Sequence, residues 1–280
     1  MTILVTGSGT LIGNTLIKLL IKKKQSLIGT YNKSFPKNLK NKIKLVKLNL
    51  LTNFKINSKF DYLIHCASAI PDDNLSKKSF FDTNVKGFRR LLEISKQNKV
   101  KKIVLLSTVS VYGKIKTKEI NEKTKISQQD DYGKTKYMME NDLKKYSRKY
   151  GINYVILRLP GVIGKNSKHN FLSRIIEKLK NKNLDNLILY NKNLKFNNLI
   201  HAEDLSKVIF QCIQSSKLSG IFLLGSKNPV KFGNLIKRIN KYCKLNVIFK
   251  SNSNSFNLDL SRSIKNKIKL NSVTKTFEKF

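Results

Sequence analysis

Apolar residues along this chain follow two rhythms. Short apolar-rich runs at 3–5, 27–31, 43–50, 62–67, 102–106 and 154–159 read as strands, and the first has no alternation, as in a strand covered on both faces. Between them apolar positions recur at helical spacing: Leu11, Ile12, Leu16, Leu19 and Leu20, then Phe80, Phe81, Val85, Phe88, Leu91, Leu92 and Ile94 within a long helix over 76–99. A third helix is capped by Asp130 or Asp131 and runs to about Lys149. Only the connection around Pro36 is short and polar, with room for little helix. Strands alternating with helices predict an α/β fold with a parallel, doubly wound sheet.

Beyond Gly164 the pattern loosens. It predicts helices at 171–182, 203–214 and 232–243, and short strands at 197–201, 221–224 and 246–249. Residues 1–164, joined by 196–225, are expected to form the main domain. Residues 165–280 mainly form a smaller C-terminal substrate-binding lobe over the carboxyl edge of the sheet, where ligands of such folds bind.

Composition narrows the function classes. The chain has 280 residues and a formal net charge of +39, with 49 Lys against 7 Arg. The lysines are spread along the chain without an arginine–aromatic cluster, so a solvated lysine-rich surface accounts for the charge and nucleic acid is disfavoured as a partner. A phosphate-bearing ligand would still gain from the field. No apolar run approaches the ~20 residues of a membrane span, and the first strand begins too early for a signal peptide before it. Cys66, Cys212 and Cys243 are scattered, as are His65, His169 and His201. They predict reduced thiols in a cytoplasmic protein and no metal site.

The chemistry is concentrated in three places. Gly7, Gly9 and Gly13 follow the first strand and open the first helix. That arrangement lets backbone approach a pyrophosphate at a helix N-terminus, so Gly7, Ser8, Gly9, Thr10, Leu11, Ile12 and Gly13 are candidate dinucleotide contacts. Tyr132 and Lys136 stand four apart and share a helix face. An ammonium about 4–5 Å from a phenol, at an effective dielectric near 20, favours phenolate by roughly 3–4 kcal/mol. That predicts a Tyr132 pKa about 2–3 units below its ordinary value. Finally, the fifth strand ends in Ser107-Thr108-Val109-Ser110-Val111-Tyr112-Gly113, at the ligand edge of the sheet.

Taken in order, these motifs resemble the extended short-chain dehydrogenases/reductases, and within them the NAD(P)-dependent epimerase/dehydratase family. The glycine loop resembles T-G-x-x-G-x-x-G, with Thr10 at the middle glycine. Ile64-His65-Cys66-Ala67-Ser68 is similar to I-H-x-A-A, and Asn84-Val85-Lys86-Gly87 to N-V-x-G. Leu157 to Gly164 is similar to the sixth-strand L-R segment, and Leu199 to Leu205 to F-I-H-V-x-D-L. The resemblance implies a Rossmann-type fold. It makes Thr108, Tyr132 and Lys136 catalytic and adds Cys66, Ala67, Ser68, Asn84, Leu159 and Val162 to the cofactor contacts, with Tyr132 and Lys136 serving there too. Tyr132 would move a proton at a substrate oxygen, Lys136 would hold the nicotinamide ribose, and Thr108 would hydrogen-bond the oxygen.

Departures from the pattern bear on specificity. Family members that prefer NAD carry an acid at the end of the second strand. Here Tyr31, Asn32 and Lys33 stand there, and residues 1–60 contain no Asp or Glu. Lys33 could pair with a 2′-phosphate, so the cofactor is NADP or NAD with NADP favoured. Asn49, beside Leu50, replaces an acid that reads adenine. Val109 and Ser110 replace the acids of the dehydratases, which disfavours dehydration. Gly161 and Asn197 stand where epimerases place an Asn and an Arg to grip the nucleotide diphosphate, and Lys165, Lys195 and Arg262 are alternatives. The expected activity is hydride transfer at a secondary alcohol or ketone, in a keto-sugar reductase or an epimerase. The expected substrate is a small molecule, phosphorylated or nucleotide-linked; a homodimer stays open. The competing function is a catalytically idle protein of the same fold that binds nucleotide or RNA.

Overall fold

The computed structural model describes residues 1–71, 75–165, 167, 170, 172, 173, 175, 187–240, 247–251 and 256–279. These form two compact units. The first comprises residues 1–114, 125–159 and 202–222, the second residues 115–124, 160–201 and 223–280.

Six strands of the central sheet are β1 (Thr2–Thr6), β2 (Ser26–Tyr31), β3 (Lys44–Lys47), β4 (Tyr62–His65), β5 (Lys102–Thr108) and β6 (Asn153–Leu159). With β7 (Gly220–Leu223) they make a seven-stranded sheet of order β7-β6-β5-β4-β1-β2-β3. All five pairings from β3 to β6 are parallel. The order reverses at β1, so the turns after β1 and β4 open side by side at the switch point.

The helices are α1 (Leu11–Lys22), α2 (Gly87–Gln97), α3 (Asp131–Tyr150) and α4 (Ala202–Gln214). One face of the sheet packs Leu63, Ile103, Leu105 and Ile156 against Phe88 and Leu91 of α2 and Met139 and Leu143 of α3. Helix α1 lies against α4. Coverage on both sides explains why β5 is buried along nearly its whole length. In the second unit, Ile163, Leu172, Ile175, Leu199, Leu235, Ile236 and Val273 form a separate core. There Gly161–Ile163 pairs with Leu199–His201, and Glu119–Ile120 with Asn257–Leu258.

Two expectations are corrected. The helix predicted over 76–99 is not continuous: a turn at Lys77–Phe80 leads into a π-helical turn at Phe81–Lys86 before α2. The wider turn keeps helical hydrogen bonding while re-aiming Asn84. The strand predicted at 43–50 is limited to Lys44–Lys47. Most of the helix predicted at 171–182, together with His169 and Cys243, lies outside the described residues. The helix predicted at 232–243 is described over Phe232–Asn240, and the strand at 246–249 over Val247–Lys250. Among the described residues no helix is long and apolar enough to cross a membrane.

Candidate active site

The glycine loop is braced at each turn. Gly7 takes φ +74°, and a Cβ there would lie 3.0 Å from the Ala67 backbone at the end of β4. A Cβ on Gly13 would sit 2.9 Å from the Gly7 carbonyl carbon, so only glycine lets α1 close onto the loop. Thr10 earns its place at the middle position as the N-cap of α1: its hydroxyl donates to the Gly7 carbonyl at 2.8 Å and accepts from the Gly13 N–H at 3.1 Å. The N–H groups of Leu11 and Ile12, in the first helical turn, are left for an incoming anion. Ser8 is committed elsewhere, donating to the Thr30 carbonyl from both its hydroxyl (2.8 Å) and its N–H (2.7 Å).

Beside the loop runs a groove of about 260 Å³. Gly7, Gly9 and Thr10 line it together with Tyr31, Asn32 and Lys33 at the end of β2, Asn49 and Leu50 after β3, and Ala67 and Ser68 after β4. Among the described residues no carboxylate lines it. Tyr31 packs edge-on against Phe35, and Asn49 accepts the Leu51 N–H through Oδ1 at 3.1 Å. The open backbone cradle and its length of lining fit a dinucleotide. A larger cavity of about 510 Å³ lies between α1 and α4, but neither the glycine loop nor Tyr132 lines it.

Thr108 ends β5 and is the register partner of Leu159 at the end of β6. Its hydroxyl accepts the Ser110 N–H at 3.2 Å, closing the turn at Val109–Tyr112. Helix α3 starts on top of that turn: Asp130 caps it by accepting the Gly133 N–H at 2.6 Å, and Gln129 donates to the Val111 carbonyl at 2.7 Å. Tyr132 therefore opens α3 over the turn that Thr108 begins, and Lys136 follows one turn later, buried at 3% exposure.

Ser68 joins these groups. Its hydroxyl lies 3.5 Å from the Lys136 ammonium and donates to Asn84 Oδ1 at 3.1 Å, and it pulls the Tyr132 phenol toward the ionised form. Asn84 also accepts the Ala69 N–H at 2.8 Å and donates to Thr135 on α3 at 3.1 Å. The π turn thus makes Asn84 the clamp between the β4 loop and α3. Behind them, Thr6 Oγ1 accepts the N–H groups of Cys66 and Ala67, each at 3.2 Å. With its lone pairs used, it donates to His65 Nδ1 at 2.8 Å. Burial drives His65 down to about 3 and the Cys66 thiol up to about 12, so both are neutral at neutral pH.

The electrostatics differ from the expectation for Tyr132. Burial pushes the phenol up to about 12, outweighing the Ser68 hydrogen bond, and Lys136 is not among its perturbers. The i,i+4 argument fixed the face and omitted desolvation, which here dominates. Burial also lowers Lys136, to about 8. As it stands the site holds a protonated phenol beside a lysine that titrates near neutrality.

The structure therefore brings Thr108, Tyr132, Lys136, Ser68, Asn84 and Leu159 to one sheet edge and the loop residues to the groove next to them. Val162 falls in the second unit, paired with Ile200. Gly161 is there too, and Asn197 is spent on the backbone of Leu258, donating to its carbonyl at 2.8 Å and accepting its N–H at 2.9 Å.

The model of the NAD dependent epimerase/dehydratase family matches residues 3–225. An uncharacterized UDP-glucose epimerase of Bacillus subtilis is 35% identical over 183 residues, 59% of this chain and 57% of that protein. The chain thus spans little more than half of that relative's length. A putative UDP-glucose 4-epimerase of Methanocaldococcus jannaschii is 29% identical over 73% of this chain and 71% of its own. Among solved structures, a UDP-N-acetylglucosamine 4-epimerase of Methanobrevibacter ruminantium superposes with a TM-score of 0.83 at 20% identity, covering 99% of this chain and 96% of the other. At that identity the likeness concerns the fold.

Proposed function

Because the chain belongs to the NAD dependent epimerase/dehydratase family, we propose that it acts on a nucleotide-linked sugar, exchanging hydride and proton at one secondary alcohol, and that the net reaction is 4-epimerisation. The observation that carries this reading is the meeting of Lys136 and Tyr132 at Ser68, which also lines the glycine-loop groove, with Thr108 at the end of the strand next to β4. A site kept for binding alone has no need of a buried lysine beside a half-buried phenol. The names of the relatives, UDP-glucose epimerases, favour epimerisation over net reduction.

A nicotinamide dinucleotide held in the groove would supply the hydride acceptor. The residues of the chain do the rest. The loop N–H groups would hold pyrophosphate, and the Lys136 ammonium would hold ribose. The Thr108 hydroxyl would hydrogen-bond the substrate oxygen, steadying charge as it develops. Tyr132, protonated in this state, would first release its proton, then take the hydroxyl proton as hydride leaves the carbon and return it to the oxygen when hydride comes back. Microscopic reversibility suits a reaction that oxidises and re-reduces the same carbon.

For the cofactor itself we propose a preference for NADP, supported by Lys33 on the groove and by the absence, among its described lining residues, of a carboxylate to take the ribose hydroxyls. Val109 and Ser110 supply no acid beside Thr108, so elimination of water is not expected. Incubation with dinucleotide and UDP-glucose or UDP-galactose, followed by chromatography and NMR, should show interconversion without a 4-keto-6-deoxy product. Tight dinucleotide binding with no turnover on any nucleotide hexose would overturn the reading.

A further inference from the structure

One buried charged group near the site takes no part in the chemistry above. Glu140 stands one turn beyond Lys136 on α3 and is fully buried. Arg158 of β6 grips it with two hydrogen bonds, Nε to Oε1 at 3.0 Å and a terminal nitrogen to Oε2 at 2.7 Å. Ser107, the neighbour of Thr108, donates to Oε1 at 2.5 Å. The guanidinium itself lies over the Tyr112 ring, 4.8 Å from its centre.

We propose that Glu140, clamped by Arg158 and Ser107, is a positioning residue that keeps Lys136 charged in its buried seat. The inference rests on the proposed function, in which that ammonium holds ribose.

The groups facing Lys136 leave few alternatives. From the end of β4 come His65, Cys66 and Ser68; from α3 itself come Tyr132 and Glu140. At neutral pH His65 is an uncharged imidazole, Cys66 an uncharged thiol and Tyr132 an uncharged phenol. Glu140 is the anion among these described groups. Lys136 has one long hydrogen bond, to Ser68 at 3.5 Å, so burial alone would discharge it well below the ordinary lysine range. Burial lowers the lysine to about 8; Glu140 opposes that fall, whereas Cys66, an uncharged thiol at this pH, does not. A unit charge roughly 6 Å away at an effective dielectric near 20 is sufficient for a shift of one to two pH units. The double grip of Arg158 stops the carboxylate from swinging toward the lysine, so it acts through its field and leaves the ammonium free to face the groove.

A merely structural Glu140 would glue α3 to β6, and its variants would follow packing. A positioning Glu140 would make them follow charge. Glu140→Gln keeps the shape and removes the charge; Glu140→Asp keeps the charge and loses packing. Because Glu140→Gln takes the carboxylate away from the buried Arg158, the double variant E140Q/R158M provides a charge-free pair that can pack. Two readouts apply to the full chain between pH 6 and 10. One is labelling of Lys136 by acetic anhydride, resolved by peptide mass spectrometry; the other is NADH and NADPH binding by fluorescence titration. Both midpoints should fall by at least one unit in Glu140→Gln and by less in the double variant, which removes the Arg158 cation together with the Glu140 anion. They should stay within half a unit in Glu140→Asp, although that variant melts at lower temperature. Equal labelling midpoints in the unaltered protein and in a folded Glu140→Gln would overturn the inference. A Lys136→Ala protein that binds both dinucleotides normally would instead overturn the ribose role of Lys136, and the labelling midpoints would still decide the role of Glu140.

Discussion

Replacing Gly133 by alanine sets two effects against each other. Gly133 lies in the first turn of α3, between Tyr132 and Lys136. Alanine is a better helix former than glycine by about 1 kcal/mol. A methyl at this point, however, would fall 2.9 Å from the carbonyl carbon of Ser110, closer still to its oxygen, and 3.0 Å from Asp130 Oδ1. The Ser110 carbonyl is backbone and is pinned by the Gly113 N–H at 3.1 Å, so the helix start must yield instead. Restoring ordinary contact requires roughly 0.5–1 Å of movement, with a cost typical of overpacking, about 1–3 kcal/mol. Loosening the Asp130 cap adds about 1 kcal/mol. The clash wins, by about 1–3 kcal/mol net, and calorimetry should show a melting temperature lower by roughly 3–8 °C. Because the same shift moves Tyr132 and Lys136 relative to the Thr108 turn, turnover on the proposed UDP-sugar substrate should fall by ~10². Gly151→Ala is the control: it has open space around it and φ +69°, so it should cost stability alone. A Gly133→Ala protein that is as stable and as active as the unaltered one would refute the seating of α3 on the Thr108 turn.

Tyr132→Phe should leave folding and dinucleotide affinity intact while turnover drops by ~10²–10⁴, read by the chromatographic epimerase assay. Lys33→Ala should narrow the gap between NADPH and NADH affinities in fluorescence titrations; equal affinities in the unaltered protein would remove the reason for the variant. Lys102 is buried, and its ammonium donates to the carbonyls of Cys212 and Leu218 at 3.1 Å and to that of Ser215. Lys102→Met should cost about 2–4 kcal/mol through those orphaned carbonyls. Burial lowers the Lys102 pKa, so the unfolded chain holds a proton that the folded one releases between the lowered value and the ordinary lysine range. Stability of the unaltered protein should therefore gain an increment as pH rises through that window, and denaturant titrations of Lys102→Met should lack it.

Much of the architecture was legible because local signals carry it. The unbroken Ile3-Leu4-Val5 run, the glycines at Gly7 and Gly13 and the Asp130 cap each announce an element from within a few residues. The site was legible where a motif is short in sequence, as with Tyr132 and Lys136. What stayed hidden depends on distant partners. Nothing near Ser68 says that it will join Tyr132, Lys136 and Asn84, and nothing near Glu140 names Arg158, eighteen residues away on a strand. The register of Phe81–Lys86 reads as ordinary helix because a π turn has no hydrophobic period of its own. The sign of the Tyr132 shift was missed for a related reason: helix spacing shows which charges are near, while desolvation depends on everything packed around them.

The seat of Lys102 also bears on how the chain is made. Its three carbonyl acceptors belong to residues more than a hundred positions later, at the end of α4 and just beyond. The same late helix packs against α1. A nascent chain that has emerged only as far as Leu159 has all of β1 to β6, yet one side of α1 lacks its cover and a lysine ammonium lacks its acceptors. The first unit cannot close on the ribosome until the segment through Phe222 has been synthesised, after much of the second unit has already appeared. Fragments cut at the apparent end of the sheet should expose α1 and collect in the insoluble fraction, while the α4 segment supplied as a separate piece should return them to solution.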